Sequence, residues 1–231
     1  DKEGSTASAP VADKAMQEPE QLPQKPGIAP DYPDAFDGQV LNTAKYSALI
    51  KGSGSIIQNN EIISSGNAKD EIIWNILYTN RNIDFTKDFT IAMDVNLTEA
   101  VESGDAMAIV AIEEIDEIQS MKMPDYRFCE VSAGSSHGTM LRMRLSGHGS
   151  QLFSTAGKLK ITFNALKENL ECSFEDEKGY EKAVSEGQKI QFGQYHLTLR
   201  GGIHSISSGG IEKPATGTFT VKYDNLDLVN K

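Results

Sequence analysis

The sequence predicts an all-β body of two packed antiparallel sheets behind an unstructured N-terminal tail, and three observations lead there. From Val40 onward, apolar residues alternate with polar ones in short runs separated by Gly, Ser, Asn and Asp clusters. No segment keeps a helical period for more than a couple of turns. About ten strands of this length are too many for one flat sheet, so a β-sandwich is the economical arrangement. A body of about 200 residues hides on the order of 70% of its unfolded surface and needs neither metal nor disulfide to do so.

Residues 1–33 come first and differ from the rest. Six of the eight prolines lie there, among Ala, Ser, Gln and Glu, with few large apolar side chains. Such a stretch cannot bury enough surface to offset its ordering entropy and reads as a linker stiffened toward polyproline II. Its composition resembles the tether of a mature bacterial surface lipoprotein, in which a small-polar, Pro-rich segment follows a lipidated cysteine. That resemblance implies a secreted or outer-surface location and a lipid anchor upstream of Asp1; the lipidated cysteine itself is not in the sequence, and the alternative is the ordinary N-terminus of a cytosolic protein. The chain begins without Met, a basic region or an apolar stretch, so a signal peptide is expected to have been removed or never to have been included.

Residues 34–231 form the single sandwich domain. Candidate strands follow in order: Gly54 to Asn59, Glu61 to Ser65, Asp70 to Leu77, Phe89 to Leu97 and Ala106 to Ile112. A hairpin then joins Arg127–Ala133 to Thr139–Leu145, with Val131 opposite Leu141, Cys129 opposite Met143, Glu130 opposite Arg142 and Phe128 opposite Arg144. A second hairpin joins Lys158–Asn164 to Asn169–Phe174, and a tip at Leu166 and Lys167 sets Phe163 against Leu170, Ile161 against Cys172 and Leu159 against Phe174. Its tip lacks the Asn-Gly chemistry of a two-residue turn, which leaves room for a longer connection. Gln194 to Arg200 and Thr218 to Leu228, the latter with a break at Asp224-Asn225, complete the set. Cys129 and Cys172 both fall on apolar strand faces, which fits either one disulfide or two buried thiols.

The net charge of −11 argues against a phosphate-neutralising surface, and nucleic acid is excluded as a partner on that ground. The longest apolar run, Ala106 to Ile112, is far shorter than the roughly 20 residues of a membrane-spanning helix, so no span is expected.

Phe89–Val95, Lys158–Phe163, Gln194–Arg200 and above all the closing Gly217-Thr218-Phe219-Thr220-Val221-Lys222-Tyr223-Asp224-Asn225-Leu226 resemble the concanavalin A-like lectin/glucanase superfamily. The resemblance covers about residues 40 to 230. It implies a jelly-roll β-sandwich whose terminal strands lie together and whose ligands sit on or beside the concave sheet.

Glu114-Ile115-Asp116-Glu117-Ile118-Gln119 resembles the active strand of laminarinase-type glycosidases of that superfamily, where three carboxylates share one strand face. Glu114 and Asp116 match the first two positions, but Ile118 or Gln119 stands at the third and neither can donate a proton. The motif therefore reads as a solvated strand end or loop, and no catalytic residue is assigned. His137, His148, His196 and His204 lack a spacing that lets two share a metal. No cofactor is indicated; calcium at Asp224 and Asn225 is weighed against a turn-stabilising Asx role, which is preferred.

Sugar recognition requires aromatic faces for CH groups and planar polar groups for hydroxyls. Trp74 is the single tryptophan and follows Ile72 and Ile73, so a core place is favoured over a platform. The better candidate surface is the polar face shared by Arg142 and Arg144 on one strand and His196, Thr198 and Arg200 on another. Cross-strand pairing of Arg142 with Glu130 is weighed evenly against it. A guanidinium-lined groove would suit acidic polysaccharides, with substitutions there lowering affinity but not stability. The function expected is a monomeric, surface-tethered, non-catalytic module that binds a glycan or cell-surface polysaccharide. The competing readings are a glycoside hydrolase or lyase with a non-standard site and a structural or adhesive protein. A convergent set of carboxylates would favour the enzyme, an open groove with Arg and aromatics the binding module, and a filled or capped face the structural role.

Overall fold

The computed structural model describes residues 34–124, 126–135, 138–143, 149–188, 190, 193–207 and 211–230. The linker assigned to residues 1–33, Arg144, His137 and His148 lie outside the described residues. In chain order the elements are β1 (Tyr46–Lys51), β2 (Gly54–Gln58), β3 (Ile62–Glu71), β4 (Ile73–Thr79), β5 (Phe89–Ser103), β6 (Asp105–Glu114), α1 (Ile115–Ser120), β7 (Phe128–Gly134), β8 (Met140–Arg142) and β9 (Gly149–Gln151). They continue with β10 (Ala156–Asn164), β11 (Asn169–Asp176), β12 (Glu181–Gly187), β13 (Tyr195–Ile206), β14 (Glu212–Lys213) and β15 (Ala215–Asn230).

Two antiparallel sheets face each other. One runs β1-β4-β13-β6-β7-β8-β9, with β14 paired to β13; the other runs β12-β11-β10-β5-β15-β3-β2. Alternation on β5 turns Phe89, Ile91, Met93, Val95 and Leu97 inward, where they meet Leu197, Leu199, Ala108 and Val110 of the opposite sheet in one apolar core. Tyr223 crosses that core: its hydroxyl donates to the Arg200 carbonyl at 2.5 Å and accepts from the Ile109 amide at 3.0 Å. Burial pushes the Tyr223 phenol well above its ordinary pKa, so it stays a neutral donor. Cys129 of β7 and Cys172 of β11 form a disulfide with Cα atoms 5.7 Å apart, which bolts one sheet to the other.

The register of β10 on β11 is the one that apolar pairing requires, with Phe163 opposite Leu170, Ile161 opposite Cys172 and Leu159 opposite Phe174. The connection is a four-residue turn, in which Glu168 takes the left-handed conformation (φ 46°) that a glycine would ordinarily supply. On β7 and β8, Glu130 faces Arg142 and Val131 faces Leu141, but the ladder stops there and Met143 lies beyond it. The closing strand breaks where expected: its register shifts between Asp224 and Asp227, with Asn225 at φ 51°. Asp224 Oδ1 accepts from the Asn225 amide at 2.8 Å, an Asx contact. The chain enters the body beside this strand, since Asp34 and Leu226 exchange both backbone hydrogen bonds.

Three expectations need correction. Asp70 to Leu77 is not one strand: Asp70 at φ 59° ends the straight run, Glu71 closes β3, and the chain changes sheets at Ile72 to begin β4. The strand expected at Glu61 to Ser65 begins at Ile62 and runs on to Glu71 as the ten-residue β3. Glu114 is the exposed end of strand β6, as expected, but Ile115 to Gln119 form helix α1 rather than a loop. The helix forms because the Glu117 carboxylate accepts from the Glu114 amide at 2.8 Å, Asp116 and Glu117 sit in the first turn, and Ile115 and Ile118 fall on one face. Carboxylates spread around a helical turn cannot share a strand face, so the laminarinase-type arrangement does not arise. Among the described residues, no helix is long and apolar enough to cross a membrane.

Candidate functional site

Trp74 on β4 and His196, Thr198 and Arg200 on β13 lie on the outer face of the eight-stranded sheet, as alternation requires. All four are buried, and Trp74, Thr198 and Arg200 have no exposure at all. What covers them is α1 and the strap that follows it. Ile118 and Met123 pack on Trp74, Ile76, Met107, Ile109, Ala111 and Phe128, a second apolar layer on the outside of the sheet. The ring of Trp74 has room because Gly202 faces it; a Cβ there would come within 2.4 Å of the indole.

The centre of this layer is an ion pair. Glu113, at the end of β6, takes the Arg200 guanidinium on both oxygens, with Nε at 2.8 Å, and accepts from Thr198 Oγ1 at 2.5 Å. The remaining terminal nitrogen of Arg200 donates to the Lys122 carbonyl at 2.7 Å, pinning the strap. Two further contacts hold the cap: Arg127 grips Glu117 at 2.6 Å, and the Glu212 carboxylate accepts from the Met123 amide and from Trp74 Nε1 at 3.3 Å. His196 is fixed by Nδ1, 2.6 Å from the Thr79 carbonyl, and stands edge-on to Tyr78. Arg142 on β8 is 3.8 Å from Glu130, the cross-strand partner. The structure thus brings Trp74, His196, Thr198 and Arg200 together, but as a neutralised network beneath a cap. A cleft of about 500 Å³ remains beside it, lined by Lys51, Ile72, Lys122, Ile206, Ile211 and Glu212 among others.

His204 makes this layer sensitive to pH. It is fully buried, edge-on to Trp74, with Nε2 3.1 Å from Met107 Sδ and no partner for Nδ1 among the described residues. Burial pulls its pKa from 6.5 down to about 4; Glu212 and Asp105 pull it upward, while Lys51 and Arg142 add to the depression. The unfolded chain therefore binds a proton near pH 6.5 that the folded chain takes up only near pH 4. Stability should be highest above that window and fall by on the order of 3 kcal/mol as pH drops through it. Urea titrations at pH 7 and pH 4 measure the loss, and a His204→Gln variant should show a flatter profile; an unchanged slope would assign the acid sensitivity elsewhere.

The other sheet presents a different surface. The outer side of β5 alternates with solvent, and a cavity of about 520 Å³ opens on this sheet between β5, β10, β11 and β15, with Glu61 and Glu177 at its margin. Lys158 lies in register with Asp94 and Glu175; Lys222 pairs with Glu61 at 2.6 Å; Asn225 Nδ2 donates to Asp94 at 2.7 Å. Asn96, Asp176, Glu177 and Asp224 complete a lining rich in planar acceptors. Among the described residues, no group of three or more His, Cys, Asp or Glu side chains is placed to hold a metal ion.

No protein-family model and no curated protein matches the sequence. Solved structures do match. Peanut lectin with a nine-residue peptide aligns over 89% of this chain and 100% of its own, with a TM-score of 0.56 at 8% identity. A lectin from Bauhinia forficata in complex with GalNAc aligns over 88% of this chain and 99% of its own, with a TM-score of 0.55 at 7% identity. A sialidase aligns over 87% of this chain but 18% of its own, with a TM-score of 0.53 at 6% identity. The chain shares the jelly-roll sandwich fold of these lectins.

At these identities the jelly roll is what is shared, and site residues do not transfer with it. Within the jelly roll, Glu113, Glu212 and the strap at Lys122 and Met123 were not singled out from the sequence. Nor was the polar cavity, whose side chains come from four strands and two flanking turns distant in the chain.

Proposed function

We propose that this chain is a non-catalytic, lectin-like recognition module that binds glycan, exported and held at the cell surface by its N-terminal segment. The observation that carries the reading is the open cavity of about 520 Å³ on the seven-stranded sheet, whose carboxylate, amide and ammonium groups suit the hydroxyls of a sugar. The fold is one in which a lectin holds GalNAc, which supports the ligand class by analogy. The non-catalytic part is supported by the state of the carboxylates on the covered sheet. Glu113 is held by Arg200 and Thr198, and Glu117 by Arg127, so neither stands free as a nucleophile or acid. Export is supported by the disulfide, since such bridges persist in oxidising compartments.

A structural or adhesive role is the second reading, favoured by the cap over the eight-stranded sheet. A glycan array probed with the labelled chain, run beside a reducing-sugar assay on laminarin and lichenan, separates these. Binding to defined glycans without turnover is the expected result. Turnover of either glucan by the wild-type chain would establish a hydrolase, and no binding to any glycan would favour the structural reading.

A further inference from the structure

We infer that Phe153 and Tyr180 form an aromatic platform for a neutral hexopyranose, so that the ligand of this module is an uncharged glycan rather than the acidic polysaccharide that the arginine-bearing strands suggest. The inference rests on the glycan-binding reading above and adds to it a contact surface and a ligand class. Among the described residues, these are the two exposed aromatic side chains whose rings touch, at 76% and 58% exposure, with centroids 5.8 Å apart and planes tilted by 62°. Lys182 reaches over the Phe153 ring, its Nζ 5.8 Å from the centroid.

Local structure fixes the backbone that carries both rings. Leu152 is buried in the core as the chain leaves β9, so Phe153 must face out; Thr155 then anchors the crossing to β5, its hydroxyl donating to the Leu97 carbonyl at 2.6 Å. Tyr180 closes a turn built on Asp176, whose carboxylate accepts from the amides of Lys178 and Tyr180 at 2.9 Å each. Gly179 supplies the left-handed residue of that turn.

The chemistry is that of a sugar. A pyranose carries an apolar CH face, which aromatic rings attract, and a rim of hydroxyls that needs planar polar partners. Those partners are close: Ala156, three residues from Phe153 and so within about 10 Å even on extended chain, lines the polar cavity together with Asp176 and Glu177 of the Tyr180 turn. The cavity holds six carboxylates to two lysines, and the chain carries −11, so a uronate is repelled where a neutral ring is not. The same charge opposes docking of a second copy. Arg200 and Arg142, the side chains that would have favoured an anion, face Glu113 and Glu130.

Calorimetric titration tests this with neutral oligosaccharides chosen from the array and with polygalacturonate, against wild type, Phe153→Ala, the Phe153→Ala/Tyr180→Ala double variant and Tyr180→Phe. Each ring removed should weaken neutral-glycan binding about tenfold, Tyr180→Phe should bind as wild type does, and all should melt together, because the rings support no core. Wild-type affinity in the double variant would overturn the platform while leaving glycan binding intact. Tighter binding of polygalacturonate would overturn the ligand class, and absence of binding to every glycan would remove the functional reading itself. A concentration-dependent dimer lost in the double variant would assign the rings to self-association and overturn the proposal.

Discussion

Replacing Arg200 by alanine is expected to destabilise the fold by about 3–5 kcal/mol, because it leaves the Glu113 carboxylate buried without its cation. The loss has three parts that act together: the ion pair itself, the guanidinium's hold on the Lys122 carbonyl, and its packing near the Trp74 ring, whose centroid is 5.9 Å away. A group serving an open ligand groove behaves differently, since its removal lowers affinity and leaves the melting temperature alone. Urea unfolding of Arg200→Ala therefore separates a structural pair from a ligand contact without any ligand in hand. The paired variant Arg200→Met/Glu113→Leu should recover most of the stability, since apolar side chains of similar volume replace a buried pair at little net cost. A single variant that loses less than about 1 kcal/mol would return Arg200 to the list of surface groups.

Arg200 also shows how far the sequence could be followed. Alternation placed it correctly, on the same face as His196 and Thr198, because a strand's period of two is fixed by backbone geometry. What alternation does not report is whether that face meets water. The sign was present one strand away: Ala106-Met107-Ala108-Ile109-Val110-Ala111-Ile112 does not alternate at all, and a strand apolar on both sides is covered on both sides. β5, by contrast, alternates from Phe89 to Leu97, and its outer face is the open one. Hairpin registers were legible for the same local reason, since Cys172 and Ile161 can meet only if every neighbouring pair also matches. β12 was not, because an edge strand reading Glu-Lys-Ala-Val-Ser-Glu-Gly buries little and gives a weak pattern. The meeting of Phe153 with Tyr180 belongs to the same class. It depends on the β9 and β12 ends approaching each other across the sandwich, and no spacing along the chain encodes it.

Removing the bridge between Cys129 and Cys172 should cost a similar amount, for a reason that lies in the unfolded chain. The two half-cystines are 43 residues apart, and in the chain-entropy description a loop of that length restricts the denatured ensemble by about 4 kcal/mol. For a domain of this size each kcal/mol moves the melting temperature by about 2–4 °C, so the Cys129→Ala/Cys172→Ala variant is expected to melt roughly 8–16 °C lower. The location of the bridge sharpens the expectation. It joins β7 to β11, one strand from each sheet, in the apolar core, and both sulfurs are inaccessible to solvent. A reductant should therefore leave the native protein oxidised and cleave the bridge once denaturant opens the sandwich, because thiol–disulfide exchange needs access to the sulfur. Thiol titration measures this directly: none reacts in the native protein made in an oxidising compartment, and two react after reduction in urea. Reactive thiols in that native protein, or an alanine variant that melts within about 2 °C of wild type, would show that the two cysteines pack as free thiols and would withdraw the support that the bridge lends to export.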